Sequence, residues 1–198
     1  GHNHSSALNN VKGQLADVGI DAVALKKGNF AALDCKDDLL QHDVFTSRSH
    51  GQLVVSGSDS SIVVATGIVL TDGGDYNSSS ILFSHSFINM SSTFGSISQT
   101  DSFDDVRIAM FIACQTAKGG AGANNLPTRV VEQGATAAIG FEEEINCGEA
   151  NEWTIFVYEQ LILGETLKDA VKTACGRFSR ESNIQSVVIC GDENITLY

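Results

Sequence analysis

Val106-Arg107-Ile108-Ala109-Met110-Phe111-Ile112-Ala113-Cys114-Gln115-Thr116-Ala117-Lys118-Gly119-Gly120 changes character at Cys114. Before it runs an apolar stretch of the length and continuity of a strand buried on both faces; after it come polar and glycine residues that read as a turn. The thiol is therefore expected on the rim of a sheet. Upstream, Val44-Phe45-Thr46-Ser47 is a second short apolar run, and it delivers Arg48-Ser49-His50-Gly51 in the same manner. An imidazole and a thiol emerging at two strand ends are the ingredients of a Cys/His catalytic pair.

The surrounding pattern alternates. Leu8, Val11, Leu15 and Val18 recur at helical spacing up to Gly19, Ala22-Val23-Ala24-Leu25 reads as a strand, and Leu33 to Leu40 as a second amphipathic helix. Such alternation predicts a parallel sheet with helices on its faces, where reactive groups collect at the carboxyl ends of the strands. Between the two motifs, Gly51 to Asp105 is rich in Ser, Gly and Thr. Leu53-Val54-Val55, Ile62-Val63-Val64-Ala65 and Ile68-Val69-Leu70 read there as short strands forming a β-hairpin insertion over the site, with another at Ile81 to His85. Ser91 to Ser102 is polar enough to be expected mobile.

Downstream of Cys114, Gly119 to Gly122 reads as a flexible loop. Pro127 suits the first turn of a helix running to Gln133, and Ala135 to Gly140 is the next buried strand. Helices over Glu149 to Leu163 and Thr166 to Ser182 are separated by Gly164, and Val187 to Cys190 is the last strand.

A strand ending in His50-Gly51 followed by a strand ending in Ala113-Cys114-Gln115-Thr116 resembles the caspase-like (clan CD) cysteine peptidases grouped with CHAT domains, clostripain, gingipains and separase. The resemblance covers roughly residues 7 to 198. It extends through Asn125-Leu126, Gln133-Gly134-Ala135 and Gly140-Phe141 to the closing Val188-Ile189-Cys190-Gly191-Asp192. It implies a caspase-like three-layer α/β sandwich with a mostly parallel central sheet, helices on both faces and the hairpin insertion. It further implies a Cys114–His50 dyad with no obligatory third member, and an oxyanion hole made by the N–H groups of Gly51 and Cys114. In these families an additional strand precedes the first helix; nothing before Leu8 serves for it, so a single domain over residues 1–198 is expected in which that strand is either missing or replaced.

The implied activity is endopeptidase cleavage through a thioester on Cys114 while His50 cycles the proton. His85, which also ends an apolar run, is the rival base; it lacks a following glycine. In clostripain-like relatives an acidic residue two before the Cys holds a basic side chain of the substrate, but here that place is Ile112. Glu142 and Glu143, with Glu144, follow the strand ending Gly140-Phe141, and a desolvated carboxylate there would pair with Arg or Lys. The alternative reading is a catalytically silent caspase-like module that binds protein, for which Ile112 and the lacking strand speak. A flavodoxin-like ligand-binding domain requires a phosphate-cradling loop after the first strand, and Leu25-Lys26-Lys27-Gly28-Asn29 is a poor one.

Composition bounds the partners. The chain has 198 residues, 42% of them hydrophobic and only one Pro, as a compact regular fold has. A net charge of −12 repels phosphate backbones and anionic lipid, so neither nucleic acid nor a membrane surface is expected as a partner; a polypeptide substrate is what the resemblance implies. No apolar run reaches the roughly 18 residues a membrane span needs, and residues 1 to 10 are too polar for a secretory signal. Five cysteines, an odd number, suit no disulfide framework. Cys35, Cys175 and Cys190 read as small core hydrophobes, whereas Cys147 is expected exposed. No cofactor is expected. Some of the resembling families depend on calcium, yet neither Asp72-Gly73-Gly74-Asp75 nor the Glu142–Glu144 run has the ligand spacing of a calcium loop, and His2 and His4 form no zinc pattern.

Overall fold

The computed structural model describes residues 4–22, 39–48, 50–56, 63–70, 80–83, 94–96, 102–178 and 183–198. In chain order the elements are α1 (His4–Asp17), β1 (Val44–Arg48), β2 (His50–Ser56), β3 (Val63–Leu70), β4 (Ser80–Phe83), β5 (Phe94–Ser96), β6 (Ile108–Ile112), α2 (Leu126–Glu132), β7 (Ala137–Phe141), α3 (Cys147–Ile162), α4 (Leu167–Cys175) and β8 (Val187–Gly191). The chain gathers into two compact units. One comprises Gly1–Lys27, Ile145–Ser186 and Glu193–Tyr198; the other comprises Gly28–Glu144 and Val187–Asp192.

The second unit holds both sheets. Its main sheet has the order β1-β6-β7-β8. The first three strands are parallel, with Val44 opposite Ile108 and Ile108 opposite Ala137, and β8 runs antiparallel to β7. The protein is thus α/β with a mostly parallel four-stranded sheet plus helices. Every residue of β6 and β7 is buried, as their unbroken apolar character requires. On one face Phe45, Ala109, Phe111, Ala113 and Ala138 form a core with Leu126 and Val130 of α2 and with Leu39, Phe103, Val106 and Ala135. The rings of Phe45 and Phe111 meet there at 6.2 Å between centroids, tilted by 52°. The other face, with Ile108, Met110 and Ile112, is just as buried.

The insertion between β1 and β6 is larger than a hairpin. It is a second four-stranded sheet of order β2-β3-β4-β5. The two short strands expected over residues 62–70 are one, β3, because its antiparallel ladder with β2 continues through Thr66 and Gly67 without a break. The expected mobile stretch contains β5, which pairs parallel to β4 with Phe94 opposite Ile81. Pairing with a neighbour outweighs polar composition there.

In the first unit, Ala7, Val11 and Leu15 form the buried stripe of α1, while Val18 lies past the helix end and is 43% exposed. Trp153, Tyr158 and Leu161 of α3 are buried. Phe156 is only half-buried and carries the Arg177 guanidinium 3.8 Å above its ring. The N-terminus of α4 has its backbone donors satisfied: Leu167 N–H bonds Ile195 O, Lys168 N–H bonds Glu193 O, and Asp169 N–H bonds Oγ1 of the cap Thr166. That helix ends at Cys175 with Gly176 as its cap, short of the expected Ser182; residues 179–182 lie outside the described residues, as do most of the expected strand at 22–25 and most of the expected helix at 33–40. Among the described residues no helix is long and apolar enough to cross a membrane.

Candidate active site

The carboxyl ends of β1, β6 and β7 lie at one edge of the main sheet, and the segments that leave them are those singled out in the sequence. Cys114 follows β6 by two residues and is half-buried. The chain turns at once. Gln115 has φ +56°, a left-handed conformation uncommon outside glycine. Its N–H donates to Glu143 O at 3.1 Å, and the Ala117 N–H donates to Phe141 O at 3.0 Å, so the turn is held to the segment leaving β7.

Thr116 lies at the centre of this turn with no exposed surface. Its Oγ1 is 3.2 Å from both Phe111 O and Ala113 O, sharing its proton between them, and accepts the Phe141 N–H at 3.2 Å. Asn125, also fully buried, serves two elements. Its Oδ1 accepts Thr128 N–H as the cap of α2, and its Nδ2 donates to Lys118 O and Gly120 O at 3.3 and 2.7 Å. The Gly119–Gly122 loop expected to be flexible is therefore pinned from behind, the positive φ of Gly119, Gly120 and Gly122 letting its carbonyls turn inward. Neither Thr116 nor Asn125 was legible as a site residue. The local signals were an Asn two before Pro127 and a hydroxyl two after the thiol.

Gly51 joins the two motifs. A Cβ added there would run into the Cys114 backbone, colliding with its carbonyl oxygen and standing 2.6 Å from both its nitrogen and its carbonyl carbon. The Gly51 Cα is thus packed onto the Cys114 peptide. His50, its neighbour, is the first residue of β2, opposite Val69, so it opens the second sheet instead of simply ending a strand of the first. The backbone of His50 is described and its side chain is not. The rival base His85 lies outside the described residues, as do Asp72 to Asp75.

The substrate-side residues fare differently. Ile112 has no exposed surface, like the rest of β6. Glu143 carries an ion pair to Lys118 at 2.8 Å, so its carboxylate is already engaged. Glu142 is half-buried, and its Oε1 would lie 3.6 Å from a Cβ at Gly120, on the loop that follows the thiol.

The other described thiols sit in different surroundings. Burial pushes the Cys190 thiol above its ordinary value, against the opposing pull of the Thr128 hydroxyl and the Gly122 N–H. Burial likewise raises Cys175, with Trp153 pulling the other way. Thiols held protonated in this way are poor nucleophiles. Cys147, expected exposed, is half-buried at the first residue of α3. Among the described residues no group of three or more His, Cys, Asp or Glu side chains could hold a metal ion. Compared with protein-family models and with curated proteins, the sequence gives no match.

Proposed function

We propose that the protein is a cysteine endopeptidase with a caspase-like sandwich fold, in which Cys114 is the nucleophile and His50 the base. The reading is supported above all by the packing of Gly51 onto the Cys114 peptide, since this apposes two segments distant in sequence at the edge where an α/β sheet places its chemistry. In the reaction His50 takes the Cys114 proton and the thiolate attacks the substrate carbonyl carbon, moving the π electrons onto oxygen. The N–H groups of Gly51 and Cys114 receive that oxyanion. On collapse the C–N bond breaks, the amine leaves with the proton from His50, and a thioester remains. Water, deprotonated by His50, then attacks the thioester, releasing the acid and returning the thiol.

The test is hydrolysis of a positional-scanning library of fluorogenic peptides by the whole chain. Cys114→Ala and His50→Ala are each expected to abolish turnover, and a peptidyl acyloxymethyl ketone is expected to label Cys114 alone. Turnover by Cys114→Ala equal to that of the unaltered chain would refute the assignment. A well-folded chain that neither cleaves nor takes the label would instead point to a silent protein-binding module, the reading that the isoleucine at position 112 favours.

A further inference from the structure

We propose that Thr116 is a positioning residue for the oxyanion site: its hydroxyl fixes the tilt of the Ala113–Cys114 peptide and so aims the Cys114 N–H. The inference rests on the cysteine-peptidase reading. In a trans peptide the C=O and N–H point in opposite directions, and no cis bond occurs among the described residues. Drawing Ala113 O to within 3.2 Å of Thr116 Oγ1 therefore turns the Cys114 N–H to the far side of the same plane.

The anchor for that hydroxyl comes from a different strand. Phe141 N–H donates to Thr116 Oγ1, while Ala117 N–H to Phe141 O and Gln115 N–H to Glu143 O fasten the backbone on either side of it. The left-handed Gln115 reverses the chain so that Thr116 reaches back over the residues preceding the thiol. Space is kept by Gly140, where a Cβ would stand 2.8 Å from Thr116 Oγ1 and 2.7 Å from Pro127 Cγ. Only a group that both donates and accepts fits between two carbonyls and an N–H, which a hydroxyl does and a methyl does not. A donor mis-aimed by loss of this hydroxyl no longer meets the developing charge, although the sulfur is untouched.

The experiment compares Thr116→Val and Thr116→Ser with the unaltered chain and with Cys114→Ala, at equal folded fraction read from thermal unfolding. Three quantities are measured: kcat and KM on the best library peptide, inhibition by the matching peptide aldehyde, and the rate of Cys114 alkylation by iodoacetamide. The aldehyde adds the thiolate to its carbonyl and leaves its oxygen in the oxyanion position; iodoacetamide is attacked at its CH2 carbon by the sulfur, releases iodide to solvent and makes no oxyanion. Thr116→Val is expected to lower kcat roughly 10- to 100-fold and to weaken the aldehyde about as much. KM and the alkylation rate stay within about twofold, and Thr116→Ser recovers most of the loss. Thr116→Ala gives the same comparison if the valine variant does not fold.

Unchanged kcat and aldehyde affinity in the folded valine or alanine variant would overturn the inference, as would alkylation slowed by the same factor as kcat. In both outcomes Cys114→Ala remains inactive and the peptidase reading stands. Turnover that survives in Cys114→Ala, or is missing from the unaltered chain, removes that reading and this inference together.

Discussion

At Gly51 one methyl group decides whether two chain segments can meet. Gly51→Ala is expected to destabilise the fold by about 1–3 kcal/mol, as overpacking does, and to abolish peptide cleavage, since the new Cβ forces the Cys114 backbone away. Denaturant unfolding and turnover measured on the same preparation check both effects. The Lys118–Glu143 pair makes a contrast, with both side chains substantially exposed at 38% and 50%. Lys118→Met is expected to change stability by less than about 1 kcal/mol, a small shift in the urea midpoint that salt diminishes further. What the residues revealed in advance follows the same division. The position of Cys114 at the end of a strand was legible because an uninterrupted apolar run followed by a polar turn is a local pattern. The contact of Gly51 with its peptide was not, since it depends on which distant strand lies alongside.

Among the elements, α2 was well marked by Pro127 in its first turn, and it ends within a residue of expectation. Its cap does more than start a helix. Asn125→Ala removes the N-cap acceptor and both donors to the loop carbonyls, and a loss of about 1–3 kcal/mol is expected, read from thermal or denaturant unfolding. The fully buried Phe111 in β6 is expected to lose about 3–5 kcal/mol on truncation to Ala. The strands of the second sheet were harder to read. β5 is three residues long and has neither periodicity nor a β-branched run; its state is set by the β4 backbone beside it. A short edge element of that kind is written in its partner as much as in itself.

For the whole molecule, alkaline pH is the informative axis. Folded Cys175 and Cys190 hold their protons above the ordinary thiol value of 9.0 because burial disfavours the thiolate. Above that value the unfolded chain releases protons that the folded chain keeps, so this contribution is fully present below it and is lost as pH rises through the higher folded values. The urea midpoint is expected to fall between about pH 8 and about pH 10, and the fall to be shallower in Cys190→Ala compared with its own neutral-pH value. An equal slope in that variant would show that this thiol has no part in the decline.

The order of the strands also has a consequence in time. β1 lies against β6 in the main sheet, yet all of β2 to β5 is threaded between them along the chain. The neighbours β6, α2 and β7 close over short distances, whereas β1 must return across a long excursion, the slower kind of encounter. In a partly folded chain β6 therefore pairs with β7 before the earlier segment that carries His50 and Gly51 has docked beside Cys114. If the proposed peptidase activity holds, the ability to cut is expected to appear only when β1 has docked, so that cleavage becomes a readout of completed folding.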